Sequence, residues 1–167
     1  MSRFIRDKAG RLTVGGVRLD EIAAAHGSPL YVYSGDGIRE DYANFAAAVA
    51  PVDGTVHFAL KANSAIGVMA LLARQGAGAD IVSGGEMQRA LVAGVPANKI
   101  VFSGVGKSAD EIGAALDANI GQINAESVAE VESISAIAAA RGVAAPVALR
   151  VNVDVDPKPH AKISTGQ

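Results

Sequence analysis

Lys61 is the residue of this 167-residue chain best placed to do covalent chemistry. It directly follows the apolar run Val56-His57-Phe58-Ala59-Leu60, so its stem starts in hydrophobic surroundings. Desolvation there disfavours the ammonium form and lowers the pKa. The resulting amine can condense with a carbonyl to form a Schiff base. The competing reading is a solvated lysine that ends a strand. Other polar residues interrupt apolar runs in the same manner: Asn63 beyond Lys61, Asp80 and Ser83 at the next run, and Glu86 just after it. Ser103 and Lys107, Asn124 and Glu126, and Arg150 and Asn152 follow at later runs. On parallel strands these residues converge on one rim, which is the strongest purely physical pointer to catalysis in the sequence.

The elements that must carry them are read from periodicity. Six short apolar runs are expected as strands: Leu30–Tyr33, Val56–Leu60, Ala79–Val82, Ile100–Ser103, Gly121–Asn124 and Val147–Val151. Their continuous apolar character suggests burial on both faces of a parallel sheet. Helical periodicity marks Ile38–Ala50, Ile66–Arg74, Glu86–Ala93, Asp110–Ala118 and Val128–Ala140 between them. Ser108 with Glu111 and Ser127 with Glu130 carry the capping-box pattern, and Gly76, Gly94 and Gly142 stand where helices should stop. Successive strand centres step by 26, 23, 21, 21 and 26 residues. Such a march fits either a doubly wound sheet or a (β/α)₈ barrel. The first strand lacks the G-x-G-x-x-G turn of a dinucleotide-binding sheet, and the even step favours the barrel.

The fold class expected is therefore α/β: a partial TIM barrel of about six βα units. A complete barrel needs roughly 250 residues, so a truncated sequence is expected. Before it, Arg11–Arg18 reads as a hairpin with a Gly-Gly turn, and Leu19–His26 as a short helix. The hairpin has no place in a barrel wall and is assigned to a separate β-domain. The boundaries are 1–28 for hairpin and helix and 29–167 for the incomplete barrel.

Composition narrows the function classes. Fifteen basic against seventeen acidic residues give a net charge of −2, without the basic surplus of a nucleic-acid binder. No apolar run approaches the ~20 residues of a membrane span, and the N-terminus has no secretory h-region. Cysteine is absent, which excludes disulfides and thiolate metal sites and points to a cytoplasmic location. His26, His57 and His160 are too scattered for metal-ligand spacing, so no metal is expected. Gly104-Val105-Gly106-Lys107-Ser108 imitates the end of a P-loop, but the motif requires glycine where Val101 stands.

Several segments match a known family in order: Phe58-Ala59-Leu60-Lys61-Ala62-Asn63, Gly78-Ala79-Asp80-Ile81-Val82-Ser83-Gly84-Gly85-Glu86, and Ile100-Val101-Phe102-Ser103-Gly104-Val105-Gly106-Lys107-Ser108. Ile123-Asn124-Ala125-Glu126-Ser127, Ala148-Leu149-Arg150-Val151-Asn152 and His160-Ala161-Lys162-Ile163-Ser164-Thr165-Gly166 complete the set. From about Pro29 onward the chain resembles the fold-III pyridoxal-phosphate decarboxylases, which share the alanine-racemase-type barrel. Its last segment resembles the diaminopimelate decarboxylase branch more than the ornithine branch.

The resemblance implies pyridoxal 5'-phosphate as cofactor, held by Lys61, and decarboxylation of meso-diaminopimelate to L-lysine. It implies that Asp80 and Glu86 help position lysine and cofactor, that Arg150 lies near the cofactor ring, and that His160 lies near the substrate. Each has a competing reading. Glu86 can serve as a helix-N-terminal carboxylate, Arg150 as half of a rim ion pair, and His160 as a solvated loop residue. His57, inside a strand, is read as packing or as support behind the site rather than as catalytic. The alternative functions are decarboxylation of ornithine, arginine or a carboxylated polyamine, or a non-catalytic homologue acting as a binding partner. The resemblance further implies a homodimer of the full-length protein, acting on a small amino acid. The family's phosphate loops and pyridine-nitrogen partner fall beyond residue 167, so this chain alone is expected to be inactive and to bind the cofactor weakly at best.

Overall fold

A computed structural model describes residues 3–151. The chain opens with a three-stranded antiparallel sheet, β1 (Phe4–Arg6), β2 (Leu12–Val14) and β3 (Val17–Arg18), in the order β1-β2-β3. The expected hairpin is present, and both residues of its turn, Gly15 and Gly16, have positive φ (55° and 79°). That is the twist which matches a two-residue turn to right-handed strands. β1 was not expected: it has only three residues, two of them exposed, and the register Phe4↔Val14 to Arg6↔Leu12 supplies its ladder. The helix α1 (Leu19–His26) follows with the expected bounds.

Helix α2 (Gly35–Val49) leads into a repeating series of β4 (His57–Ala59), α3 (Ile66–Arg74), β5 (Gly78–Ile81), α4 (Gly84–Val92), β6 (Ile100–Phe102), α5 (Ala109–Asp117), β7 (Gln122–Ala125), α6 (Val128–Arg141) and β8 (Val147–Leu149). The five strands form one parallel sheet in sequential order, as expected for consecutive βα units. Alternation along the strands sorts side chains onto two faces. Ala79, Ile81, Ile100, Phe102, Ile123 and Ala125 are buried against Met69, Met87, Ile112 and Ile134 of the helices. Ala59, Asp80, Val101 and Asn124 alternate with them and occupy the other face, the inner face of a barrel wall.

Two expectations about strands need correction. Leu30–Tyr33 forms no strand: the segment has no ladder with β4, and Leu30, Tyr31 and Tyr33 are exposed. Apolar composition gives a segment strand propensity, but only a neighbour's hydrogen bonds make it a strand. The outermost strand is also not buried on both faces. Val147 and Leu149 of β8 are exposed, because β8 is hydrogen-bonded to a strand on one side only among the described residues.

Candidate functional site

Polar residues gather at the C-terminal ends of the parallel strands, where a barrel places its chemistry. Leu60, 1% exposed, anchors a 3₁₀ turn that follows β4. Lys61, next in that turn, is exposed. The dry mouth expected around its amine is therefore not built by the described residues. Five strands make a wall open on one side, and enclosure of a rim residue needs the rest of a closed barrel. The loop after Lys61 is held locally: Asn63 Oδ1 accepts from the Ala65 amide at 3.0 Å, and Arg89 donates to the Ser64 carbonyl at 3.3 Å.

Asp80 pairs in register with Ala59, two residues before Lys61, so carboxylate and amine share one rim on adjacent strands. Ser103 Oγ donates to Asp80 Oδ1 at 2.6 Å. His57 lies on the same face as Asp80, pressed over Gly78, where a Cβ would run into its ring. The packing reading of His57 thus holds.

Glu86 serves the chain itself: Ser83 Oγ accepts from the Glu86 amide, and Glu86 Oε2 accepts from the Val82 amide at 2.8 Å. The Ser83-x-x-Glu86 spacing behind this cap is visible in the sequence. Glu130 behaves in a related way. Ser127 caps the Glu130 amide as expected, yet the Glu130 carboxylate reaches past Ser127 to the Glu126 amide at 2.6 Å. Among the described residues only Ser108 with Glu111 closes the reciprocal box.

Glu111 also crosses to the neighbouring helix, accepting from the Gly84 amide at 2.7 Å. The Gly84 and Ser108 amides hold its carboxyl below its ordinary value of 4.5. A depressed carboxylate stabilises the fold above its unfolded value and loses that contribution as pH falls through the folded one. Glu111→Gln can accept only one of the two amides, and is expected to cost about 1 kcal/mol near neutral pH, limited by partial solvent contact. Urea unfolding at pH 7 and at pH 3 checks this: the difference should shrink at the lower pH, and a pH-independent difference would refute the assignment.

Lys107, the apparent P-loop lysine, turns inward. Its side chain is 0% exposed, and Nζ donates to the carbonyls of Gly104 (2.6 Å) and Asn124 (2.8 Å) and to Glu130 Oε1 (2.9 Å). Its ammonium also lies 5.7 Å from the centre of the Phe102 ring. With its donors committed to protein acceptors, it has no role as a phosphate ligand. Glu126 accepts from the Gly104 amide and pairs with Arg150 at 3.1 Å. Arg150 is thus engaged in the competing rim ion pair, while its side chain stays 51% exposed and open to a ligand. His160 lies outside the described residues. Among the described residues no group of His, Asp and Glu could hold a metal, and no helix is long and apolar enough to cross a membrane.

Comparison with known proteins decides what such a rim belongs to. Residues 36–167 match the family model described as pyridoxal-dependent decarboxylase, pyridoxal binding domain. The chain belongs to this family. A curated diaminopimelate decarboxylase from Zymomonas mobilis is 48% identical over 166 residues, covering 96% of this chain and 39% of that protein. The crystal structure of diaminopimelate decarboxylase from M. jannaschii superposes with a TM-score of 0.89 at 38% identity, covering 98% of this chain and 39% of that one. That of the Helicobacter pylori enzyme complexed with L-lysine gives 0.84 at 44% identity, covering 88% and 37%. The chain thus spans about two fifths of these relatives' length, and none of the three is an ornithine or arginine decarboxylase. The small antiparallel sheet followed by parallel βα units matches the N-terminal part of the fold-III barrel, as the sequence leads one to expect.

Within the pyridoxal-dependent decarboxylase family, the donor set on this rim suits the cofactor. An exposed primary amine can meet an aldehyde, a carboxylate stands on the next strand, and an arginine with a half-exposed side chain completes the rim.

Proposed function

We propose that the protein of which these residues form the pyridoxal-binding part decarboxylates meso-diaminopimelate to L-lysine with pyridoxal 5'-phosphate. The observation that carries this reading is the exposed Lys61 after β4, on the same rim as Asp80 of the adjacent β5, in a chain 48% identical to a diaminopimelate decarboxylase. When bound, the cofactor supplies the electron sink for the carbanion left as carbon dioxide departs. Lys61 provides the amine that anchors it. Asp80 holds an acceptor toward that amine from the neighbouring strand. Arg150, paired with Glu126 and with its side chain half exposed, would lie near the cofactor ring. Glu86 acts at one remove, fixing the loop after β5 through the Val82 amide. His160 stands near the substrate in this reading.

Residues 1–28 and 29–167 form the two units of the chain in this proposal, the first contributing to a β-domain. The functional state is a cytoplasmic homodimer that binds neither nucleic acid nor membrane. Assay of the intact protein with meso-diaminopimelate, L-ornithine and L-arginine tests the substrate. Carbon dioxide and L-lysine should arise from the first alone, with kcat/KM at least about 100-fold above the others, since a site built for a polar group rejects substrates that leave it unpaired. Release from ornithine alone would remove the assignment.

A further inference from the structure

We propose that Gln122, Asn124 and Ser103 are positioning residues, a hydrogen-bond relay across three strands that fixes the Asp80 carboxylate as an acceptor on the Lys61 rim. This rests on the functional reading above, because Asp80 matters to chemistry only where Lys61 carries the cofactor.

The four side chains lie on the inner face of the sheet, all partly buried. Gln122 Nε2 donates to Asn124 Oδ1 at 2.7 Å, Asn124 Nδ2 donates to Ser103 Oγ at 3.0 Å, and Ser103 Oγ donates to Asp80 Oδ1 at 2.6 Å. An amide nitrogen only donates, so Ser103 Oγ accepts from Asn124 and has its single proton left for Asp80. Such one-way chains polarise each bond in turn.

At the end of the relay, Asp80 Oδ2 carries no hydrogen bond among the described residues. It is an oriented acceptor for an ammonium or other N–H group at the strand ends. Lys61, two residues beyond Asp80's register partner Ala59, stands at the end of the adjacent strand on the same rim. The relay thus holds one carboxylate oxygen so that the other faces the chemistry.

The test measures affinity of the intact protein for pyridoxal phosphate by absorbance titration, alongside thermal midpoints. S103A should weaken affinity about tenfold, in keeping with loss of a hydrogen bond to a charged group, while S103T retains it. A double-mutant cycle then locates the effect: S103A/D80N should bind no more weakly than D80N alone. N124L gives a second cut of the relay should S103A fold poorly. Unchanged affinity in a folded S103A or N124L, or multiplying effects of S103A and D80N, overturns the relay while leaving the role of Lys61 standing. Wild-type protein that takes up no cofactor overturns the functional reading and the relay with it.

Discussion

Replacing Lys61 with alanine is expected to abolish covalent uptake of pyridoxal phosphate by the intact protein and to lower kcat by about 10³-fold or more, as for removal of a covalent catalytic group. The reason is chemical and local. Lys61 is the exposed amine at the C-terminal end of β4, and the neighbouring lysine on this rim cannot replace it. The Lys107 side chain is 0% exposed and bound to two carbonyls and a carboxylate. Fold stability should change little, because the Lys61 side chain is solvent-exposed and the turn is anchored by buried Leu60. Absorbance of the reconstituted protein, before and after borohydride reduction, reads the outcome together with initial rates. A K61A protein that retains the cofactor band and turns over normally would sink the assignment.

Lys107→Met should instead destabilise the fold, by about 3–5 kcal/mol, the range for breaking a buried ion pair from one side. The substitution leaves the Glu130 carboxylate, 11% exposed, without its cation, and the Gly104 and Asn124 carbonyls without their donor. Glu130→Gln strands the ammonium and should cost a similar amount. The double variant K107M/E130Q removes both charges at nearly constant volume and should recover a large part of the loss. Urea unfolding of all four proteins checks this through the coupling energy. A K107M cost below about 1 kcal/mol, or single costs that simply add, would show that the pair is not a coupled buried unit.

The helices show how much local rules can reach. Leu19–His26 and Ile66–Arg74 have the bounds that periodicity implies, and Gly142 stops α6 in the left-handed conformation (φ 66°). Those features depend on residues within one turn of each other. The cap at Ser127 and Glu130 went only half as expected, because a longer-range partner, Lys107, competes for the same carboxylate. The Asp80–Ser103–Asn124–Gln122 relay was likewise hidden. Ser103, Gln122 and Asn124 lie 23, 42 and 44 residues from Asp80 along the chain, and only sheet register brings them together.

By itself, the sequence determined the βα repeat, the Gly-Gly hairpin, the rim on which polar residues converge and, through ordered motifs, the family. Each follows from short-range periodicity, turn chemistry or residue identity. Tertiary structure alone decided that Leu30–Tyr33 makes no ladder, that Lys107 turns into the core while Lys61 stays in solvent, and that Arg150 is held by Glu126. In each case the outcome depends on which neighbour is within hydrogen-bonding reach. That neighbour lies on another strand or helix, where no local pattern records it.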